Sequence, residues 1–366
     1  MLTAVSARPR PAGQFSADRY VVKAPVVVCG VADARADQDV ARFAADLVKR
    51  LGGQLILLNI QPAKLIEAEP QIAYAVPQAK PADNQLTTAR GLARLALATG
   101  VAPWTEIRVG RGDPEQRLIE TASQEDAALI VVGLRTGSSG RLRGRFAARV
   151  IRRAACPAVV VPVAGASDRG PSRSGAEMTT SILCGVDGSR NSRVALRLTA
   201  QLAGRLGVRL VVAHVVQPPI PSSGFGGFTV RQFPAIPVDS LLASGRARLE
   251  QILSEEHLSH VERRVLFGFV PERLAYVAQE ERSELIVVGS RGRGPFKAAL
   301  LGSVSTDLIG AARCPVLVVP PGAVTRSEWR PTPAGSSESR SRRGYDVPLE
   351  ASVALLPEIT TTLSCS

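Results

Sequence analysis

Aromatic side chains are scarce: two Trp, four Tyr and nine Phe in 366 residues. Few platforms are left for stacking bases, which argues against a single-stranded nucleic-acid binder. Histidine is scarcer still, with only His214, His257 and His260. His257 and His260 lie three apart in EEHLSH, but no cysteine or third histidine joins them locally, so they read as surface residues rather than metal ligands. His214 falls in an apolar run and is expected to be a hydrogen-bonded core histidine. The five cysteines, Cys29, Cys156, Cys184, Cys314 and Cys365, form no CxxC pair. The first four lie in or beside valine-rich runs and read as reduced, buried small hydrophobes, while Cys365 lies in a polar tail. No uncharged apolar run of about 18 residues occurs, so no transmembrane helix is expected. The segment MLTAVSARPRPAGQFSADRY lacks the apolar stretch of a secretory signal, and a cytoplasmic location is the default expectation. No Ser/His/Asp or Cys/His set can be assembled, and no general base for nucleotide hydrolysis stands out.

What is present in excess is positive charge. The net charge of +13 suggests anionic partners such as nucleotides, nucleic acid or anionic lipid, without choosing among them. The length suits about two domains, and the sequence shows what they are. VVVCGVADARAD resembles SILCGVDGSRNS, QLILLNIQP resembles RLVVAHVVQP, and AALIVVGLR resembles SELIVVGSR. VGRGDPEQRLIETA resembles LFGFVPERLAYVA, and RRAACPAVVVPV resembles GAARCPVLVVPP. The offset drifts little: 155 from Cys29 to Cys184, 156 from Gly133 to Gly289, 157 from Pro114 to Pro271 and 158 from Cys156 to Cys314. One domain is present twice. The organisation read from this is a flexible N-terminal segment (1–24), a first domain (25–163), a polar Gly/Ser/Pro-rich linker (164–179), a second domain (180–321) and a disordered tail (322–366). Within the tail, EASVALLPEI is a candidate docking segment.

Each copy alternates short continuous apolar runs with helical periodicity. In the second, SILCGV, VRLVVAHVV, VERRVLF, ELIVVG and PVLVVP read as strands, with helices over about 191–206, 240–256, from Pro271 onward, and 303–312. The expected fold class is α/β, two repeated doubly wound five-stranded parallel sheets of Rossmann-like architecture. Ligands of such sheets bind beyond the carboxyl ends of the strands, where the strand order reverses. Two segments leave strand ends there with suggestive residues, VDGS and GSRG.

The second of these opens GSRGRGPFKAALLGS, residues 289–303. Gly289, Gly292 and Gly302 allow close backbone approach, Gly302-Ser303 opens a helix whose free N–H groups favour an anion, and Arg291 and Arg293 add charge. Alternatively the glycines only build a turn and Ser303 only caps the helix. The loop is neither a Walker A motif nor a GxGxxG after the first strand, which disfavours P-loop hydrolysis and the usual dinucleotide fingerprint.

The combination of G-x2-G-x9-G-S after strand four, VDGS after strand one, AHVV ending strand two and CPVLVVP closing the domain resembles the universal stress protein family, in both halves. The resemblance implies a fold of the adenine nucleotide alpha hydrolase kind and, in one branch of the family, ATP binding. It implies that Asp187 approaches the ribose or a bound Mg or Mn ion, that the backbone of Val215 reads the adenine edge, and that Gly289 lies by the ribose. Gly292, Gly302, Ser303, Val304 and Ser305 would surround the phosphates. It also implies pairing through the closing strand, so AVVVPV and VLVVPP could make the chain a built-in dimer, with homodimerisation and protein partners as further expectations.

The first copy breaks this pattern. Asp187 corresponds to Ala32, with Asp33 one step late. Gly292 falls on Thr136 beside Gly137, Gly144 matches Gly302, and Ser303 and Ser305 become Arg145 and Ala147. ATP is therefore expected in the second domain only, with Gly140 and Gly144 leaving room for a remodelled anion site in the first. The first copy instead carries Arg135, Arg141, Arg143, Arg145, Arg149, Arg152 and Arg153, with no acid in residues 135–153. The function read from the sequence is an ATP-binding stress-response regulator, non-catalytic or at most a slow ATPase, with no membrane or nucleic-acid partner. The competing reading is a basic scaffold that binds nucleic acid or other anions through the surface between Arg135 and Arg153.

Overall fold

The structure is a computed structural model in which residues 24–61, 81–100, 105–135, 140–163, 180–218, 237–290 and 302–321 are described. The first half runs β1 (Val26–Gly30), α1 (Gln38–Leu51), β2 (Gln54–Gln61), α2 (Pro81–Ala98), β3 (Thr105–Arg111), α3 (Pro114–Gln124), β4 (Leu129–Arg135), α4 (Gly140–Arg153) and β5 (Ala158–Val163). The second repeats it as β6 (Ser181–Gly185), α5 (Arg190–Leu206), β7 (Arg209–Val216), α6 (Val238–Glu255), β8 (Glu262–Phe267), α7 (Val270–Glu280), β9 (Ser283–Gly289), α8 (Ser303–Ala311) and β10 (Val316–Val319). The tail, the linker and most of the glycine loop, with Gly292, lie outside the described residues.

The ten strands form one sheet in the order β3-β2-β1-β4-β5-β10-β9-β6-β7-β8. Pairing is parallel within each half. Between the halves β5 and β10 pair antiparallel, with Val316 opposite Val160 and Val318 opposite Ala158. The apolar closing strands thus cover each other's edge. Because that one pairing is antiparallel, the parallel strands of the two halves point in opposite directions. Their carboxyl ends, where ligands of such sheets bind, emerge on opposite edges of the sheet.

Continuous Val/Ile/Leu strands need cover on both faces. On one face α1, α2 and α5 pack residues such as Ala44, Leu92 and Ala195 over Val27, Leu57 and Val287, with α6 beside them on Val212. On the other, α3, α4, α7 and α8 pack Leu118, Val150, Leu274 and Leu308 over Val28, Ile130 and Ile286. Each of the two large apolar layers runs across both halves without a break.

Two details correct the sequence alignment. Gly112 and Gly268 both have positive φ (127° and 136°), and their N–H groups donate to equivalent carbonyls, Gln61 and Val216. The halves therefore correspond here at an offset of 156, so Pro114 does not match Pro271. Pro114 opens α3, whereas Val270 precedes Pro271 in α7. The second detail concerns α4, whose 14 residues against nine in α8 make it start earlier. Gly144 lies inside that helix instead of before it. The arginine-rich stretch contains good helix formers and no serine that would fix a later start.

Candidate nucleotide site

Three segments meet at the carboxyl ends of β6 and β9. After β6 the chain turns tightly: Asp187 Oδ1 accepts the Ser189 N–H at 2.9 Å, and Gly188 takes φ 77°. Ser189 then caps α5, its Oγ accepting the Ser192 N–H at 3.2 Å, and Ser192 Oγ returns a hydrogen bond to the Ser189 carbonyl at 3.0 Å. One oxygen of Asp187 is therefore used to shape the turn, as Asp-Gly-Ser favours.

Gly289 ends β9 against this turn. A Cβ there would stand 3.0–3.1 Å from the Asn191 carbonyl group and the Ser192 nitrogen, all backbone atoms. Only glycine lets β9 approach the start of α5 this closely. The Gly302 N–H donates to the Ser290 carbonyl at 3.0 Å. Gly302 is the N-cap of α8 and supplies no side-chain cap. Among the described residues, the N–H groups of Ser303, Val304 and Ser305 therefore begin the helix with no acceptor from a preceding turn. Ser305 is buried, and its hydroxyl donates to the Gly289 carbonyl at 3.1 Å. That hydrogen is committed to fastening α8 onto β9, which leaves the backbone N–H as the donor Ser305 can offer a phosphate. Ser303 is exposed. Beside them, the buried Ser290 Oγ has no hydrogen-bond partner among the described residues.

Val215 sits near the end of β7, next to β6, and is largely buried. The adjacent His214 is a structural residue, its Nδ1–H donating to the Val186 carbonyl at 2.8 Å and so holding the turn before Asp187 against β7. The structure thus brings Asp187, Gly289, Gly302, Ser303, Val304 and Ser305 together at one switch point with Val215 on the neighbouring strand. Gly292 lies outside the described residues.

The first half is built differently at the same place. Asn59 replaces His214, its Nδ2 donating to the carbonyls of Val31 and Ala32. The decisive substitution, not noticed in the sequence, is Asp37 where the second half has Ser192. The buried Asp37 Oδ2 accepts the N–H groups of Ala32 (2.8 Å) and Asp33 (3.0 Å), and its Oδ1 lies 3.5 Å from where a Cβ on Gly133 would be. The 155-residue offset of the preceding strand was the signal that could have found it. An internal carboxylate occupies the ground an incoming anion would need. The early start of α4 removes more, since the N–H groups of residues 144–147 lie inside the helix and are used there.

The basic stretch of α4 is partly neutralised. Arg149 and Arg153 both pair with the buried Glu115 of α3, the latter at 3.0 Å. His257 and His260 are exposed, and no cluster of three potential metal ligands occurs among the described residues. No helix among the described residues is long and apolar enough to cross a membrane. A separate cavity of about 180 Å³, lined by Ile119, Asp126, Ile130, Arg153 and Cys156, lies at the amino ends of β4 and β5, away from the switch points. Cys29 and Cys184 are fully buried, and burial pushes the Cys184 thiol up to about 12 and the Cys29 thiol higher still.

The universal stress protein family model matches residues 25–162 and again 178–320. The chain belongs to the universal stress protein family. Two curated relatives of this universal stress protein are one from Mycobacterium tuberculosis (strain ATCC 25618 / H37Rv), Rv2623, and one from Mycolicibacterium smegmatis, each 32% identical. The matches run over 206 and 228 residues, or 53% and 61% of this chain. They span 62% and 70% of the relatives' own lengths. Among solved structures, a universal stress protein from Archaeoglobus fulgidus superposes with a TM-score of 0.55 at 16% identity, covering 82% of this chain and 98% of that one. That likeness bears on the fold alone.

Proposed function

We propose that the second half of this universal stress protein binds ATP and acts as a regulatory ligand sensor in the stress response, while the first half supplies structure. The observation that carries the reading is the uncapped start of α8. Three N–H groups, those of Ser303, Val304 and Ser305, open the helix at the switch point beside the buried Ser290 hydroxyl, which has no partner among the described residues. Free N–H groups and the helix dipole suit a phosphate chain. The residues present fit a nucleotide in other respects. Asp187 stands across from α8 to meet a ribose or a magnesium or manganese ion, and Val215 offers backbone on the adjacent strand for the adenine edge. We take the nucleotide to act by binding, with hydrolysis at most slow. In the first half the buried Asp37 carboxylate would repel a phosphate chain, which supports the second half as the site.

The test is nucleotide content. The purified full chain is denatured and any released nucleotide identified by chromatography, beside Gly302→Val and Asp187→Ala variants, with calorimetry against added ATP. Adenine nucleotide is expected in the wild type and not in the variants. An empty wild type that also ignores added ATP would overturn the reading and favour the basic surface of α4.

A further inference from the structure

The corrected correspondence of α3 and α7 exposes a substitution with no structural benefit. In the first half the N-cap of α3 is Asp113, whose Oδ1 accepts the Gln116 N–H at 2.8 Å. The equivalent N-cap of α7 is Phe269, which supplies no cap hydrogen bond. Phenylalanine there forfeits a favourable cap and gains little burial, since 57% of the residue is exposed. Aromatics are rare in this chain, and this is the most exposed of the large hydrophobics among the described residues.

Its position is informative. The Gly268 N–H donates to the Val216 carbonyl at 3.0 Å, so the chain leaves β8 alongside the residue that follows Val215. Gly268, at φ 136°, then turns the chain into α7, and Phe269 stands at the carboxyl rim of the sheet. Leu274, one turn further along α7, packs on Gly185 at the end of β6, which places the start of this helix over the β7 and β6 ends. An exposed apolar residue is thus held at the carboxyl rim of the sheet, on the β7 side of the switch point.

We propose that Phe269 is a base-stacking residue that gives the second-half site its preference for a purine nucleotide. This rests on the nucleotide reading above. The phosphates lie at the start of α8, the base extends toward β7, and the Phe269 ring packs on its face. Stacking accepts any base but favours the larger purine surface, so Phe269 sets selectivity while α8 supplies affinity for phosphate.

The experiment measures binding of ATP and CTP to the full chain by calorimetry, with thermal unfolding of each variant in parallel. Phe269→Ala is expected to weaken ATP about ten-fold, in the range found for base–aromatic stacks, and CTP less, narrowing the purine preference. Phe269→Trp is expected to retain ATP binding. Phe269→Asp restores the cap of the first half and is expected to raise the unfolding midpoint by a few degrees while weakening ATP. Tyr276→Ala, two turns along the same helix and 51% exposed, is expected to change neither. Unchanged ATP binding in Phe269→Ala, an equal loss for ATP and CTP, or a loss of stability in Phe269→Asp would each overturn the stacking role while leaving the nucleotide reading intact. A wild type that binds no nucleotide would overturn both.

Discussion

Asp37 and Ser192 occupy equivalent places and show how one side chain separates the two halves. Ser192 is neutral, its Oγ accepting the Asp187 N–H at 3.4 Å and donating to the Ser189 carbonyl, while Asp37 brings a carboxylate onto the N–H groups of Ala32 and Asp33. Asp37→Ala is expected to cost about 1–3 kcal/mol, because two partly buried N–H···carboxylate hydrogen bonds are lost; urea midpoints measure it. Gly289→Ala forces a Cβ onto the backbone of Asn191 and Ser192. It is expected to destabilise by roughly 1–3 kcal/mol, as overpacking does, and to impair nucleotide binding together with stability. A third residue-scale prediction concerns pH. Burial holds the Cys29 and Cys184 thiols protonated in the folded state well above their ordinary value of 9.0. The unfolded chain releases those protons first, so folding stability is intact below about pH 9 and falls as pH rises toward 12. Replacing both by alanine would flatten that alkaline limb; an unchanged limb would show that other groups cause it.

Elements differ in how far they could be read in advance. The strands were legible because an uninterrupted Val/Leu/Ile run has few alternatives once helices cover both sheet faces. Helix α5 was legible from Val194, Leu198, Leu202 and Leu206, repeating every four residues; the first three are buried and Leu206 is partly buried. Its start depends on Ser189, and Ser189→Ala is expected to cost about 1 kcal/mol by loss of the cap, checked by chemical denaturation. The starts of α4 and α7 were not legible. Aligning prolines placed α7 one residue off, because proline suits either of the first helical positions. Counting back from the Cys-Pro pair matches Gly144 to Gly302 but does not reveal that α4 starts before it, because a single glycine in an arginine-rich helix costs only about 1 kcal/mol and does not stop it. Phe269 was hidden by the same misalignment, since against Gly112 it reads as a loop residue and only against Asp113 as a lost cap.

At the scale of the molecule the halves are joined by more than a linker. Val159, Val160, Val316, Leu317 and Val318 are all at most 1% exposed where β5 meets β10. Arg50 of α1 reaches Glu284 of β9 with two hydrogen bonds, 2.9 and 3.0 Å, and also the Leu206 carbonyl. That ion pair is partly exposed and contributes on the order of 1 kcal/mol at most, so the apolar seam dominates. Continuous apolar layers predict that denaturant unfolds both halves in one transition; two resolved transitions would show the seam to be weak. Leu317→Ala is expected to cost about 2–5 kcal/mol of unfolding free energy, lowering the midpoint of the whole chain and not of one half.

The sequence by itself determined the duplication, the α/β alternation and the class of the strand-end motifs, because apolar periodicity and glycine spacing are local properties. Tertiary structure decided which residues face the site. The corner at Asp37 depends on a side chain reaching back four residues and more to backbone N–H groups freed by a strand end. The role of the Ser305 hydroxyl depends on how closely α8 lies to β9. The exposure of Phe269 depends on where β8 ends beside β7. Each is a relation between segments distant along the chain or around a turn, and only packing fixes such relations.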